Sequence, residues 1–225
     1  MPSLTDVYLP YAFDYKDDVT IRGSTHFIPL SHIVIGSLYH FINVQTPEMY
    51  EYCIDILRGS DEITDLVISG SACPYTNVTI LDLSVYPRLE TLIIGDYGFE
   101  YVNELKLTGL SKLKSVVIGD ESFMNVNALN ITGLNELESV EIGMNSFTKY
   151  KSTYNITADP DRHFYLKNCP KMKSLKMGRY SFSDYTVIEI ENCALEVIEM
   201  GELNEDSYNF KYASLELKSI LIHSE

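Results

Sequence analysis

The five histidines and four cysteines are the residue types best suited to bind a metal or act as nucleophiles, but their spacing favours neither activity. No H-E-x-x-H, G-x-x-x-x-G-K, G-x-G-x-x-G, G-x-S-x-G or C-x-x-C sequence occurs. No pair of histidines has the spacing of metal ligands on one strand. The histidines are His26, His32, His40, His163 and His223. We therefore predict a protein that is not an enzyme and that has no catalytic, metal-binding or cofactor-binding residues.

The group that comes nearest to a metal site is Asp159, Asp161 and His163. A calcium loop would also need a glycine turn and a distant glutamate, and a zinc site would need a further ligand of suitable geometry. The sequence places neither. The segment around these residues is more typical of a solvated recognition loop.

The overall charge excludes several classes of partner. With 17 Lys and Arg against 32 Asp and Glu, the formal net charge is −15, which opposes binding to nucleic-acid phosphates and to anionic lipid. No apolar run approaches the roughly 18 to 20 residues that span a bilayer. The N-terminus lacks the basic start and apolar core of an export signal. We predict no nucleic-acid partner and no membrane insertion, with a cytoplasmic location unless an upstream signal has been removed, in which case the protein is extracellular or at the cell surface.

An internal repeat organises the chain. Three stretches beginning at Leu89, Leu113 and Leu137 align without gaps at a spacing of 24 residues, in the frame L-x-x-L/V-x-I-G-x-x-x-F-x-x-V-x-x-L-x-L/I-T-G-L. The frame begins near residues 4, 30, 63, 89, 113, 137, 172, 195 and 217. Residues 1–225 are therefore interpreted as one continuous repeat domain.

Each repeat contains two short segments in which apolar and polar residues alternate, as in strands with one buried side. In the clearest copy these are Val116/Ile118 and Leu129/Ile131. The second segment recurs at Ile54/Ile56, Leu81/Leu83, Leu105/Leu107, Phe164/Leu166 and Ile188/Ile190. A mainly β solenoid of stacked coils is expected.

Glycine and phenylalanine mark the corner after the first strand of each coil. The glycines are expected to allow an unusual backbone conformation there. The phenylalanines four residues later are expected to stack as an aromatic column inside the coils. The residues are Gly95, Gly119, Gly143, Gly178 and Gly201, with Phe99, Phe123, Phe147 and Phe182.

The L-x-x-L-x-I segment, the turn, the Phe and the second apolar strip together resemble a leucine-rich repeat, most closely the treponemal, BspA-like class. LKNCPKMKSLKMG around Cys169 resembles the cysteine-containing repeats. The resemblance implies a right-handed solenoid of about eight to nine coils, with 22–26-residue repeats and two longer coils. It also implies protein recognition or adhesion, and it supplies no catalytic residues. Gly in place of the usual Asn ladder and a strand-like returning half predict a flatter, straighter array.

If equivalent residues stack, each outward position forms a column along the array. The position after the leading apolar residue alternates in charge, through Glu90, Lys114, Glu138, Lys173, Glu196 and Lys218. Opposite charges on neighbouring strands attract, so this column supports the predicted register. The outward column of the returning strands is polar, and comprises Thr20, Asp55, Asp82, Lys106, Asn130, Tyr165, Glu189 and Asn209.

The outward column of the first strand is the candidate binding surface. Five apolar residues follow one another there, namely Tyr8, Val34, Val67, Ile93 and Val117. We call this column the apolar stripe. Glu141, Lys176, Glu199 and Leu221 continue it. A contiguous exposed apolar stripe is typical of a partner-binding surface, although β-branched residues also suit strands for purely structural reasons.

Two insertions lengthen the coils, at residues 45–52 and 148–163. Both contain tyrosines, which give large contact areas in recognition surfaces, but tyrosine is frequent throughout this chain, with 17 copies. We predict that the insertions are recognition loops beside the apolar stripe.

Cys169 and Cys193 fall at a similar phase of neighbouring coils, so stacking could bring them within disulfide range. The ordinary cysteine content and the lack of an export signal favour buried free thiols at the leucine position. Three N-x-T sequences, at Asn77, Asn130 and Asn155, would matter only in an exported protein, and Asn130 lies in a predicted strand.

Two functions fit these patterns. The first is a non-catalytic module that binds a protein through the apolar stripe and the inserted loops. The alternative is a structural protein that assembles end to end into filaments, because terminal coils otherwise expose apolar interior to water. Leu4, Ile220 and Leu221 are the candidate end-to-end contacts.

Overall fold

The computed structural model describes residues 6–8, 32–34, 47–149, 156–201 and 207–218. It describes the backbone alone at residues 6–8, 32–34, 47–52, 215 and 217. The predicted end contacts at Leu4, Ile220 and Leu221 lie outside the described residues.

Two parallel sheets contain the described strands, and the chain passes from one sheet to the other in each coil. The first sheet consists of β1 (Asp6–Tyr8), β2 (His32–Val34), β3 (Asp65–Ile68), β5 (Thr91–Ile94), β7 (Ser115–Ile118), β9 (Ser139–Ile142), β11 (Ser174–Met177) and β13 (Val197–Met200). The second consists of β4 (Ile80–Asp82), β6 (Glu104–Lys106), β8 (Ala128–Thr132), β10 (Asp159–Cys169), β12 (Tyr185–Cys193) and β14 (Ser214–Lys218). One α-helix, α1 (Pro47–Arg58), and one 3-10 turn (Leu83–Val85) complete the described elements. The predicted mainly β solenoid is confirmed.

The repeat register is also confirmed in the first sheet. Each frame start from residue 4 to residue 195 lies two residues before a strand of that sheet. Equivalent residues pair directly, as in Leu92 with Val116 and Val116 with Val140. The inward residues are buried between the sheets, so the core is a set of columns along the array.

The glycine column acts through close approach of neighbouring backbones. A Cβ at Gly95 would lie 2.5 Å from the backbone nitrogen of Gly70, and a Cβ at Gly119 would lie 2.6 Å from that of Asp96. No heavy atom fits at such distances. Of the five predicted corner glycines only Gly201 has a positive φ, of 62°. The prediction that these glycines serve an unusual φ was therefore wrong for the other four, which permit the coils to stack.

The left-handed backbone falls two and four residues after the glycine. In the coil from Leu113, Glu121 has φ 54° and Phe123 has φ 57°. The two left-handed residues turn the chain inward and direct the phenyl ring into the core. The same pair of positive φ values recurs at Ser71/Cys73, Tyr97/Phe99, Asn145/Phe147, Tyr180/Phe182 and Tyr208/Phe210.

The predicted aromatic column is confirmed and extends one coil further. Ring centroids of Phe99 and Phe123 lie 5.3 Å apart, as do those of Phe123 and Phe147, and Phe147 lies 4.9 Å from Phe182. Phe210 continues the stack at 5.1 Å from Phe182. The nearly parallel rings repeat at the spacing of the strands, so the column fixes the alignment of successive coils.

The predicted strand at Ile54/Ile56 is wrong, because these residues lie in α1. Cys53 and Ile56 are buried, Leu57 is half-buried and Asp55 is exposed, which is the pattern of an amphipathic helix. The Ile56 carbonyl accepts a hydrogen bond of 2.8 Å from the Tyr86 hydroxyl. The insertion at 45–52 is thus partly helical, and α1 packs beside the 3-10 turn that follows β4.

The last predicted frame start is also corrected. Leu217 lies in β14, which pairs with β12 of the second sheet and places Lys218 opposite Glu191. Lys218 therefore does not continue the charge column of the first sheet. Glu216, opposite Glu189, takes the place predicted for Asn209 in the outward column of the returning strands.

Asn209 instead lies directly before Phe210 at the corner. Its side-chain nitrogen donates to the carbonyls of Gly178 at 2.8 Å and Ser181 at 3.0 Å. An amide thus fills the position that serine occupies in the preceding coil. The outward-column prediction failed because the last coil is longer before its corner: Phe210 follows Gly201 by nine residues, whereas Phe182 follows Gly178 by four.

A disulfide joins Cys53 in α1 to Cys73, which occupies the phenylalanine position of its coil. The two Cα atoms are 5.2 Å apart, and both side chains are buried. The cysteine count alone did not indicate this bond. The disulfide attaches the helix to the end of the phenylalanine column.

We predict that replacing both Cys53 and Cys73 with Ser lowers the free energy of unfolding by about 3 kcal/mol, because the unfolded chain regains the freedom of an open loop. Urea denaturation followed by circular dichroism measures the change. Cys169→Ser is the matched control, since Cys169 is a free thiol. Addition of a reductant should destabilise the wild-type protein and leave the double variant unchanged; equal sensitivity of the two would contradict the prediction.

Candidate partner-binding face

The structure places the apolar stripe in one continuous column on the outer face of the first sheet. Tyr8 pairs with Val34, Val34 with Val67, Val67 with Ile93, and Ile93 with Val117. The side chains of Val67, Ile93 and Val117 are half-buried between their outward neighbours. For Tyr8 and Val34 the backbone register alone is described. The residues that sequence predicted to be adjacent are therefore brought together.

The column becomes charged beyond Val117, again as predicted. Val117 pairs with Glu141, Glu141 with Lys176, and Lys176 with Glu199. The ammonium of Lys176 lies 3.4 Å from the carboxylate of Glu199. The outer face thus has an apolar part towards β3 and a charged part towards β13.

An open groove of about 530 Å³ lies on the charged part of this face. It runs from the middle of the strands to the glycine corners. Residues that line it include Asp120, Glu141, Met144, Lys176, Arg179 and Glu199. Met144 at its rim is 41% exposed. The lining of the groove therefore combines apolar side chains with charges of both signs.

The alternating charge column borders the same face. Successive backbones at this position are joined directly, since the Lys114 nitrogen donates to the Glu90 carbonyl and the Glu138 nitrogen to the Lys114 carbonyl, both at 2.8 Å. The ammonium of Lys114 lies 2.6 Å from the Glu90 carboxylate, and this contact raises the pKa of Lys114. The charge prediction is therefore confirmed as a register signal from Glu90 to Glu196, and it ends before Lys218.

Buried hydroxyls hold the corners beneath the face. Ser122, Ser146 and Ser181 precede the stacked phenylalanines and are fully buried. The backbone nitrogen of Ser122 donates to the hydroxyl of Ser146, and that of Ser146 to the hydroxyl of Ser181, at 3.0 and 3.1 Å. Each coil thereby satisfies the corner nitrogen of its neighbour, which keeps the outer strands in line.

A buried ion pair that sequence reasoning missed joins the second insertion to the following coil. Arg162 and Asp184 are fully buried, and Arg162 Nη1 lies 2.6 Å from Asp184 Oδ2. The guanidinium also donates to the carbonyls of Met124 and Val126, each at 2.7 Å. The predicted solvated loop at 148–163 is therefore wrong for residues 159–163, which belong to β10.

Tyr185 completes this cluster from the next coil. Its ring lies under the Arg162 guanidinium, with the ring centroid 4.7 Å from Cζ, and its hydroxyl donates to the Val126 carbonyl at 2.6 Å. Burial raises the pKa of the Tyr185 phenol. The cluster holds the start of β10 in the lengthened coil against the coil that follows it. It has no access to solvent, so its chemistry is structural.

One sequence signal could have located Arg162. Phe164 and Leu166 are inward residues of β10, and extending their alternation back by two places Arg162 inward as well. An arginine facing the core requires a buried acceptor nearby. Asp184, directly before the buried Tyr185, is 22 residues further along the chain and comes beside Arg162 only once the insertion is folded. The partner was therefore not identifiable from spacing.

Asp159, Asp161 and His163, the residues nearest to a metal site in the sequence, have other contacts in the structure. Lys149 forms a 2.9 Å ion pair with Asp159, and this hydrogen bond holds the pKa of Asp159 below its ordinary value. The backbone N–H of Asp161 donates a hydrogen bond to the Asp159 carboxylate at 3.1 Å, while His163 stacks on Tyr165 with ring centroids 5.9 Å apart. Within the described ranges no group of three His, Cys, Asp or Glu side chains could hold a metal ion.

Cys169 and Cys193 are buried free thiols, as predicted, and they pair directly in the register of β10 and β12. Each follows a left-handed asparagine, and Asn192 donates to Asn168 at 2.9 Å. A hydrogen bond to Cys193, together with burial, raises the pKa of Cys169. The thiols fill the column that Leu134 occupies in the preceding coil.

We predict that Arg162→Met lowers the free energy of unfolding by about 3–5 kcal/mol, because it leaves the Asp184 carboxylate buried without its cation. Lys149→Met, which breaks the exposed pair with Asp159, is the control and should cost no more than about 1 kcal/mol. Chemical denaturation measures both. If Asp184→Leu added to Arg162→Met restored no stability, the unpaired carboxylate would not be the cause.

No helix among the described residues is long and apolar enough to cross a membrane. Comparison with known proteins identifies no matching family, no similar curated protein and no similar solved structure.

Proposed function

We propose that this chain is a non-catalytic interaction module related to the leucine-rich repeats, with right-handed coils numbering about eight to nine. It binds a protein partner through the apolar stripe, while the inserted segments at 45–52 and 148–158 provide further contacts. The observation that carries the proposal is the direct pairing of Val67, Ile93 and Val117 in one outward column.

Three properties of the outer face support a protein ligand. The stripe is apolar over adjacent strands, so its burial by a partner would remove continuous apolar surface from water. The groove beside it has charges of both signs, from Glu141 to Lys176 and Arg179, which can select a partner by complementary ion pairs. The exposed rim residue Met144 adapts its shape to irregular surfaces.

The test places charged side chains in the apolar stripe without disturbing the fold. Glutamate and lysine already alternate in the same column at positions 141, 176 and 199, so the sheet tolerates paired opposite charges there. Val67→Glu combined with Ile93→Lys should weaken partner capture at least about tenfold, which corresponds to about 1.4 kcal/mol. Immobilised wild-type and variant chains are compared for retained proteins by quantitative mass spectrometry.

Ile80→Glu is the matched control, because Ile80 is an exposed apolar residue at the edge strand of the second sheet. It should leave capture unchanged. Circular dichroism spectra of all three chains should coincide. Equal capture by the wild-type chain and the double variant would contradict the proposed role of the apolar stripe.

End-to-end self-association is a second candidate, favoured by β13. Within the described part of the chain β13 ends the first sheet, and Val197, Ile198 and Met200 are 46%, 39% and 43% exposed. Ile198 and Met200 continue the inward columns of Leu175 and Met177. An apolar edge strand of this kind is suited to pair with the first strand of another copy.

We predict that association rises with concentration. Ile198→Lys should weaken it and raise the dissociation constant at least about tenfold. Light scattering after size-exclusion chromatography measures the mass over a range of concentrations. Tyr97→Lys, a change at an exposed corner residue away from β13, is the control. A strictly monomeric wild-type chain at the highest concentration would rule this function out.

A further inference from the structure

Residues 77–79, Asn-Val-Thr, form the acceptor pattern for N-glycosylation, and the structure places them at an exposed turn. The Val78 nitrogen donates to the Tyr75 carbonyl at 3.1 Å, which closes a four-residue turn with Asn77 at its third position. Asn77 and Thr79 are exposed, while Val78 is buried and anchors the turn. Both side chains that the pattern requires are therefore accessible.

The other described N-x-T sequence has a different setting. Asn130 lies within β8, between Lys106 and Tyr165 of the neighbouring strands. Its side-chain oxygen accepts a 2.5 Å hydrogen bond from the Thr132 hydroxyl, so the two acceptor side chains are engaged with each other on an extended strand. The third sequence, at Asn155, lies outside the described residues.

A second observation concerns the compartment. Cys53 and Cys73 form a buried disulfide, and Cys73 lies four residues before Asn77. Structural disulfides form and persist in oxidising environments and are rare where cellular thiols are kept reduced. The exported route that forms such bonds in eukaryotic cells is also the one that transfers N-linked sugars. The disulfide and the exposed acceptor turn thus point to the same maturation route.

We propose that Asn77 is an N-glycan attachment site and that the chain matures in an oxidising secretory compartment. The co-reactant is a polyprenyl diphosphate-linked oligosaccharide. A bond forms between the side-chain nitrogen of Asn77 and the anomeric carbon, and the bond from that carbon to the diphosphate breaks. The lipid diphosphate leaves, and one amide proton passes to a base of the transferase.

The position of Asn77 is compatible with a free outer face. Thr79 directly precedes β4 of the second sheet, whereas the apolar stripe lies on the first sheet. A glycan at this turn therefore lies beside the second sheet and leaves the stripe uncovered. The glycan does not depend on the proposed partner binding.

The test expresses the full chain behind a cleavable secretory leader in cultured animal cells. Secreted protein is treated with peptide N-glycosidase, and peptide mass spectrometry locates each Asn that the enzyme converts to Asp. The expected result is a glycan at Asn77 in the major secreted form and Cys53 disulfide-bonded to Cys73.

Asn77→Gln and Thr79→Ala should both remove the glycan from this site, Thr79→Ser should retain it, and Asn130→Gln should not change it. An unmodified Asn77 in the secreted protein, or a glycan at Asn130 in its place, overturns the proposal. So does retention of the wild-type chain inside the cell with Cys53 and Cys73 reduced.

Discussion

The fold depends on coils that lie directly over one another at the spacing of hydrogen-bonded parallel strands. That spacing leaves no room for a side chain at the corner after the first strand, where a Cβ on Gly95 or Gly119 would collide with the backbone of the preceding coil. Glycine at this point therefore controls whether stacking is possible. The residues that follow, with their left-handed backbone and inward phenyl rings, then align each coil with its neighbours.

Stacking at one spacing turns each repeat position into a column, and the chemistry of a column depends on where it faces. Inward columns are apolar and form the core. Serine hydroxyls line the corners, where they satisfy buried backbone nitrogens. Outward columns are free to vary, which is why one of them can be apolar at Val67, Ile93 and Val117 and charged from Glu141 onwards.

The regular columns are interrupted where the chain departs from the repeat. The insertion before β10 brings Arg162 into the interior, and Asp184 neutralises it with an ion pair that has no contact with water. At the other interruption, α1 is joined by a disulfide to the phenylalanine column. Each interruption thus carries a contact of its own, a buried ion pair in one case and a disulfide in the other.

The sequence by itself determined the register. The spacing of Leu, Gly and Phe predicted the strands of the first sheet, the aromatic column and the apolar stripe, because a period-2 pattern repeated at fixed length leaves one register that buries the leading inward positions of every repeat. Tertiary structure alone decided the rest. The disulfide of Cys53, the pairing of Arg162 with Asp184 and the place of Lys218 in the second sheet all depend on how segments outside the repeat lie against it. These contacts join residues whose separation follows no period, so no pattern along the chain could indicate them.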